Sequence, residues 1–384
     1  MDFIFNSFKI KYIILNGLFR KLDLKNIKSV TLYINLESII GALHSETYEE
    51  TLKTCTKAEI KNNYLSLISN IINIAAHYRA FFNRMRVQSN IVFFYNEFKT
   101  NKILNNIVYN KNYRKHYFDT YTVDKYEYIN EIIIDGMEYI QNIIDYLDCI
   151  YLLKSDRLES SVIPFVVHSD KKLKSDLNLL LTKDVYDFQY VNHKFLVLYP
   201  DKEESIILHK KNLIPYMRYR NNLTEEKYTM EINPLLFPFI YSVLGDKKRS
   251  MDKIKGIGFK KLYRSIEKLY DSSFISDEEP SSFNIEHLSS LIKTSNGLCN
   301  LQIKEVICSN YYSTDLERQA NVVSDAIVEE ILSGIVNKFD NNGLKRLNDK
   351  IFSDYPIYLE DLYNYTENIF ASAIKKANEL DTSI

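Results

Sequence analysis

The chain has few of the residues that stabilise secreted or zinc-binding proteins. Its 384 residues include four cysteines, seven histidines and no tryptophan. The cysteines are scattered, with no CxxC pair and no histidine at metal-ligand spacing. This pattern argues against a disulfide framework or a zinc site and favours reduced thiols in a cytosolic compartment. The histidines form no HxxxH pattern and no Ser-His-Asp grouping that the sequence reveals.

Long apolar segments are also missing. The longest apolar run without a charge, Ile232 to Gly245, contains two prolines and is too short to span a bilayer. Asp2, Lys9 and Lys11 interrupt the apolar stretch at the N-terminus, which argues against a signal peptide. We therefore expect no membrane contact and a cytoplasmic location, in the host cell if the protein is viral, with the virion as an alternative.

The overall charge is close to zero, and the composition is unusual. Because the net charge is −1, any affinity for nucleic acid must come from local patches rather than from the field of the whole protein. Thirty tyrosines, many asparagines, lysines and isoleucines, and only nine glycines suggest an AT-rich genome, such as that of a virus, a phage or a reduced bacterium.

The first half of the chain alternates between strand and helix patterns. Ser29–Asn35, residues 91–95 and Val162–Val167 read as buried strands, separated by helical stretches that end near Arg86 and that span Tyr139–Leu153. This order predicts a parallel α/β sheet, in which ligand groups gather at the carboxyl ends of the strands. The predicted strand ends carry Asn35 to Glu37, Asn96 with Glu97, and Ser169 with Asp170.

The second half contains a hairpin pattern and then helices. Phe188–Tyr199 and Ser205–Leu208 predict a β-hairpin region, and two helices, Pro234–Leu244 and Phe259–Tyr270, are expected to flank a glycine turn. Residues 315–384 hold thirteen acids and seven bases. A helical ridge there comprises Val323, Ile327, Ile331 and Ile335. We expect an N-terminal arm (1–28), an α/β domain (29–245), a nucleic-acid-binding element (246–270), a linker (271–286) and a helical C-terminal extension (287–384).

Residues 247–264 are strongly basic around the turn Gly256-Ile257-Gly258. They contain eight basic residues and one acid, Asp252. Glycines let a backbone approach a phosphate closely, and the N-terminus of the following helix directs amide hydrogens towards it. The candidate phosphate contacts are Lys253, Lys255, Gly256, Gly258, Lys260 and Lys261. The alternative is a solvated, lysine-rich helix start.

A second basic segment lies between residues 99 and 114, where no acid occurs. Its candidate nucleic-acid contacts are Lys99, Lys102, Lys111 and Arg114. Neighbouring tyrosines can stack on exposed bases, although tyrosine is so abundant in this chain that ordinary packing also accounts for any one of them.

Five segments resemble, in chain order, the motifs of the flap endonuclease and 5′–3′ exonuclease family. Residues 30–45 resemble its first strand and helix, 91–102 and then 109–117 its second strand and basic arch, 144–153 its acidic helix, 165–173 its third strand, and 234–262 its helix–three-turn–helix motif. The resemblance covers residues 29–270. It implies a PIN-like α/β fold, with a mostly parallel central sheet flanked by helices and a helix–three-turn–helix element; the helical C-terminal extension lies beyond the resemblance and is expected from its own sequence pattern.

The same resemblance implies chemistry by two divalent cations, Mg²⁺ or Mn²⁺, held by carboxylates. The positions that match family carboxylates and remain acidic are Asp145, Asp148, Asp170, Asp246 and Asp252. Asn35, Asn96 and Lys172 occupy other family carboxylate positions, and Glu37, two residues after Asn35, is the best substitute. Since an amide is a neutral ligand, the resemblance implies an impaired site that binds these ions weakly.

Three functions remain open at this stage. The first is a DNA-binding protein with an impaired metal site, serving as a scaffold in phage replication or in the virion. The second is an active Mg-dependent 5′–3′ exonuclease or flap endonuclease. The third is a structural or assembly protein that reuses the fold. The expected partners are branched or single-stranded DNA and, through the acidic C-terminal helices, another protein.

Overall fold

The structure is a computed structural model. The described residues are 27–39, 56, 58, 59, 71, 74, 75, 77–79, 81–96, 140, 141, 144, 149–192, 195–201, 204–209, 212, 213, 216, 217, 236–245, 251–271, 293, 294, 297, 298 and 301–335. None of the helices within this part of the chain is both long and apolar enough to cross a membrane.

A six-stranded sheet forms the centre of the fold, and it confirms the predicted α/β class. Its strands are β1 (Ser29–Asn35), β2 (Gln88–Asn96), β3 (Ile150–Ser155), β4 (Leu177–Leu181), β5 (Phe195–Asp201) and β6 (Glu204–Leu208). Their order across the sheet is β3-β2-β1-β4-β5-β6. The pairs β1–β2, β1–β4 and β2–β3 are parallel. Because the order reverses beside β1, the carboxyl ends of β1 and β4 form the switch point at which α/β sheets usually bind ligands.

The central strand has the composition of a strand that is covered on both faces. β1 reads SVTLYIN, and every residue from Val30 to Asn35 is buried. Parallel sheets carry helices on both faces, so their strands are apolar throughout rather than alternating. The prediction of strands at Ser29–Asn35 and at 91–95 is therefore confirmed, with β2 beginning three residues earlier, at Gln88.

The predicted third strand is wrong. Residues 160–162 form a 3₁₀ turn and Ile163–Val167 form helix α1, with a proline in the first helical turn. The third strand is instead β3, Ile150–Ser155, part of which was predicted as helix. Short, fully buried apolar runs have no solvent-facing residues to reveal a period, so a strand and a buried helix look alike in sequence. Pro164 presets the backbone angle that a helix start needs, and this favours the helix.

The two helices predicted to flank the glycine turn and the predicted hairpin are found with shifted bounds, and further helices follow up to Leu332. The helices are α2 (Phe237–Leu244), α3 (Phe259–Asp271), α4 (Leu301–Thr314), α5 (Leu316–Asn321) and α6 (Asp325–Leu332), and a small sheet pairs β7 (Lys293–Thr294) with β8 (Gly297–Leu298). β5 and β6 lie at the predicted hairpin, whereas Val185–Asn192 form a 3₁₀ helix rather than its first strand.

Two compact units divide the chain. The first contains residues up to Lys183, residues 198–207 and those from Asp325 onward; the second contains residues 184–197 and 208–324. In the first unit, α6 packs against α1 and β3. Of the predicted C-terminal ridge, Ile331 and Ile335 are buried and Val323 and Ile327 are half-buried. The predicted domain boundaries stay predictions.

Candidate functional site

Asp170 and Lys172 lie at the amino edge of the sheet, not at the carboxyl edge where the sequence placed them. Lys172 O accepts a hydrogen bond from Asn90 Nδ2 at 3.2 Å, and Leu173 O accepts one from Thr31 Oγ1 at 2.8 Å. Asn90 and Thr31 lie near the beginnings of β2 and β1. The four residue steps from Thr31 to Asn35 span roughly 13 Å of extended chain. The predicted grouping of Asp170 and Lys172 with Asn35 and Asn96 is therefore corrected.

The reason for this displacement is the helix that replaces the predicted third strand. A strand ending at Val167 would have carried Asp170 to the carboxyl edge, whereas α1 returns the chain to the start of β4. There, Asp170 Oδ1 accepts the Lys172 N–H at 2.8 Å, and Lys172 Nζ donates to Ile335 O at 3.4 Å. Burial, and secondarily the charge of Asp170, raise the pKa of Tyr33 above its usual range.

Asn35, at the carboxyl end of β1, caps the helix that follows. Its Oδ1 accepts the Ser38 N–H at 3.1 Å, and Ser38 Oγ donates to Asn35 O at 3.1 Å. Residues 36–39 are helical, so Asn35 satisfies an amide hydrogen that a helix start leaves unpaired. Ser38 Oγ also accepts the Lys183 N–H at 3.0 Å, which links this helix start to the end of β4 at the switch point.

Asn96, at the carboxyl end of β2, uses its side-chain amide as a donor. Asn96 Nδ2 donates to Leu158 O, in the segment after β3. The Asn96 N–H donates to Glu37 Oε1 at 2.5 Å. Asn96 itself is buried, and Glu37 is half-buried. The structure thus places Asn35, Glu37 and Asn96 at the same edge of the sheet, with Glu37 directed towards the end of β2. Their role at a metal site stays a prediction.

The end of β3 adds carboxylates that the sequence analysis missed. Ser155 pairs with Asn96 in the sheet, and its Oγ accepts the N–H groups of Arg157 and Leu158, both at 3.2 Å. Asp156 follows directly; its Oδ1 lies 3.7 Å from Arg157 Nε, and both side chains are 60% exposed. The signal was the apolar run at 150–153 followed by Lys-Ser-Asp. If that run had been interpreted as a strand, Asp156 would have been placed at the carboxyl edge.

The remaining predicted metal ligands are either exposed or outside the described residues. Asp252 is exposed. Asp145, Asp148 and Asp246 lie outside the described residues, as do Lys99, Lys102, Lys111 and Arg114, so their roles stay predictions. No cluster of three or more His, Cys, Asp or Glu side chains suited to a metal ion occurs within the part of the chain that the structure describes.

In the second unit, a loop at residues 251–258 joins the segment after α2 to α3; we call it the glycine loop. Every third residue is buried (Met251, Ile254 and Ile257), whereas Lys253, Lys255, Gly256 and Gly258 are exposed. Burial of one side anchors the loop, and the other side carries the positive charges. Lys260 is also exposed and Lys261 half-buried, in the first turn of α3.

Two glycines shape this element in different ways. Gly245, directly after α2, has a φ of +66°, and a Cβ there would lie 2.6 Å from Lys253 N. Only glycine fits both the left-handed backbone and this close approach. At Gly258, directly before α3, a Cβ would meet no heavy atom within 4 Å among the described residues other than its two chain neighbours. The space beside the N-terminus of α3 is therefore open to a ligand.

The glycine loop is hydrogen-bonded to the end of α2. The Ile254 N–H donates to Val243 O at 3.1 Å, and the Gly245 N–H donates to Tyr241 O at 2.8 Å. Asn310 of α4 donates from Nδ2 to Ser242 O at 2.9 Å and to Asp252 O at 3.0 Å. The helix–loop–helix predicted from sequence thus includes a third helix.

Several solved nuclease structures are similar to this chain. The 5′-exonuclease of bacteriophage T5 with bound zinc ions shares 12% identity over 79% of this chain and 97% of its own, with a TM-score of 0.47. A pseudo-enzyme–product complex of the T5 flap endonuclease with DNA and metal ions shares 13% identity over 88% and 99%, with a TM-score of 0.45. The catalytic core of Rad2 with a DNA substrate shares 10% identity over 91% and 94%, with a TM-score of 0.39.

These structures are nucleases of the kind that the sequence motifs resemble. No protein-family model matches the sequence, and no curated protein matches it by sequence.

Proposed function

We propose that this protein binds branched or single-stranded DNA through the glycine loop and the start of α3, and that the metal site of its α/β domain is impaired. In this role it serves as a scaffold, in phage replication or in a virion. The observation that carries the proposal is the use of Asn35 and Asn96 as structural hydrogen-bonding groups at the carboxyl edge.

The hydrogen bonds of both amides support an impaired site. A pair of divalent cations needs several carboxylates that converge on one edge. The carboxylates described next to the ends of β1, β2 and β3 are Glu37, Asp156 and Glu159. Glu37 accepts a backbone N–H, and Asp156 is exposed beside Arg157. Asn96 presents a donor, which a cation cannot use, towards Leu158 O. This set of residues fits two cations poorly.

The exposed charges of the glycine loop support binding to a phosphate backbone. Lys253 and Lys255 are exposed on the side of the loop opposite its buried residues. The open space at Gly258 lies beside the first amides of α3, where a helix attracts anions. Lysine contacts of this kind bind without regard to base sequence and weaken as salt rises.

Binding of labelled single-stranded, flap and duplex DNA over a series of salt concentrations tests this proposal. We expect salt-sensitive binding by the full chain. The slope of log K against log salt is negative, and in the double variant Lys253→Gln/Lys255→Gln its magnitude should fall by about 1.4 to 1.8, which corresponds to two phosphate contacts.

The matched control is Lys171→Gln/Lys174→Gln, which removes two exposed lysines at the amino edge of the sheet. It should leave affinity and slope unchanged. An equal loss in both double variants would mean that any two lysines suffice, and the glycine loop would no longer be the DNA contact. If the full chain binds none of these DNAs at low salt, a structural role becomes the better explanation.

An active nuclease is the second candidate, because Glu37 does lie at the carboxyl edge beside Asn96. Robust Mg²⁺- or Mn²⁺-dependent cleavage of a 5′-flap substrate would favour it, provided that Glu37→Gln abolishes the cleavage. Asp170→Ala is the control, since Asp170 lies at the amino edge and should be neutral for cleavage.

A further inference from the structure

The carbonyl groups in the last turn of α2 accept hydrogen bonds from different parts of the second unit. The final carbonyls of a helix have no partner within the helix and must find one elsewhere. Tyr241 O accepts from Gly245 N, Ser242 O from Asn310 Nδ2, and Val243 O from Ile254 N. The end of α2, the glycine loop and α4 therefore share one hydrogen-bond network.

Asn310 is the member of this network that α4 contributes, and it contacts both the end of α2 and the glycine loop. Its side chain is 9% exposed, and its amide group directs one donor to Ser242 O and another to Asp252 O. An amide has two donor hydrogens, so both are used here. Asp252 directly precedes Lys253, and the two donors hold the backbone at the start of the glycine loop against the end of α2.

Thr314 makes an equivalent bond one helical turn further along α4. Its Oγ1 donates to Pro238 O at 2.9 Å, in the first turn of α2, and the residue is fully buried. Residues four apart lie on the same face of a helix, so Asn310 and Thr314 both join α4 to α2. Only Asn310 also reaches the glycine loop.

We propose that Asn310 is a positioning residue for DNA binding: it holds the lysines of the glycine loop in the geometry in which they contact phosphates. This inference rests on the proposed DNA-binding function. It assigns α4, which the sequence placed in a separate C-terminal extension, to the binding element. The side chain acts through the loop backbone and carries no charge to a phosphate.

The salt dependence of binding separates this role from simple stabilisation. The slope of log K against log salt is negative. Each lost phosphate contact reduces its magnitude by about 0.7 for single strands and by about 0.9 for duplex. A variant that is merely less stable has fewer folded molecules, but each folded molecule keeps its contacts and its slope. A substitution that changes no charge but reduces the magnitude of the slope must therefore have moved the charged groups.

The experiment compares Asn310→Ala with Thr314→Val in the full chain, at temperatures well below the melting temperature of each. We expect both to melt at a lower temperature, since each loses a buried hydrogen bond. Asn310→Ala should lower DNA affinity severalfold and reduce the magnitude of the slope by about 0.7 to 0.9, which corresponds to the loss of one phosphate contact. Thr314→Val should keep the wild-type slope.

A wild-type slope in Asn310→Ala, or the same reduction in both variants, would overturn the proposal. If Asn310→Ala does not fold, Asn310→Ser retains one donor, can satisfy only one of the two carbonyls, and should show a smaller reduction of the slope. Failure of the wild-type chain to bind DNA would instead refute the proposed function itself, so the two failures are distinguishable.

Discussion

The Asn96 N–H donates to Glu37 Oε1 at 2.5 Å, across the carboxyl ends of β2 and β1. This contact joins a carboxylate that the sequence suggested as a substitute metal ligand to the backbone of a residue that occupies a carboxylate position in the family pattern. The Asn96 side chain extends in turn to Leu158 O. Hydrogen bonds between Glu37, Asn96 and Leu158 thus hold this edge together. The first effect expected of a substitution there is the loss or gain of one of these bonds.

Asn96→Asp is expected to destabilise the protein by about 1–3 kcal/mol. It removes the donor to Leu158 O and places a carboxylate against that carbonyl and near Glu37. Denaturant unfolding measures the loss, and a flap-cleavage assay with Mg²⁺ should show no gain.

Asn35→Asp is the control for that substitution, because aspartate and asparagine cap helices about equally well. Its unfolding free energy should stay within about 0.5 kcal/mol of the wild type. A stable Asn96→Asp variant that gains cleavage would contradict the structural role of this amide and support an active nuclease.

Gly245→Ala should be among the most damaging single substitutions in the second unit. The left-handed backbone and the 2.6 Å distance from a Cβ to Lys253 N both oppose it, and we expect the free energy of unfolding to fall by more than about 2 kcal/mol. Gly258→Ser is its counterpart, since it adds a capping side chain in open space and should stabilise by a few tenths of a kcal/mol. Thermal unfolding of both variants checks this contrast, and equal effects would contradict it.

Arg86→Gly should raise the free energy of unfolding by about 1 kcal/mol. Arg86 has a φ of +56° in the turn before β2, a conformation that costs most residues energy and glycine almost none. The side chain is not needed for the turn, whose hydrogen bonds are backbone bonds from Arg86 N to Asn83 O and from Val87 N to Phe82 O. A destabilised variant, measured by denaturant unfolding, would show that the arginine side chain makes a compensating contact.

Asp176→Asn should change how the free energy of unfolding depends on pH. The N–H groups of Lys28 and Ser29 donate to the Asp176 carboxylate and lower its pKa. A lowered folded-state pKa contributes stability that is present above the ordinary pKa of an aspartate and is lost as the pH falls through the lowered value. The wild type should therefore exceed the variant in stability near neutrality, and the difference should disappear in strong acid. Unfolding curves that stay parallel at all pH values would rule out this contribution.

The local sequence pattern was sufficient to predict a strand or helix where the segment had a clear boundary or a clear hydrophobic period. The strands at Ser29–Asn35 and in β2, the helix Phe237–Leu244 and the helix that begins at Phe259 were all predictable, because β-branched runs, glycines and amphipathic spacing act within a few residues. The positions of Asn35 and Asn96 at the ends of β1 and β2 were predictable in the same way, since parallel strands bring their carboxyl ends to one edge. The prediction for Asp170 was wrong for the converse reason: all of the apolar run 162–167 before it except Val166 is buried, so the run shows no clear period.

The sequence by itself determined the α/β class, the two asparagines at the ends of β1 and β2, and the basic loop with its glycines. The tertiary structure decided which carboxylates face those asparagines, that Asn96 serves as a donor, and that Asn310 of α4 completes the end of α2. Composition and spacing are properties of neighbouring residues. Residues 59 apart, such as Glu37 and Asn96, or 58 apart, such as Asp252 and Asn310, become partners only when packing brings their segments together.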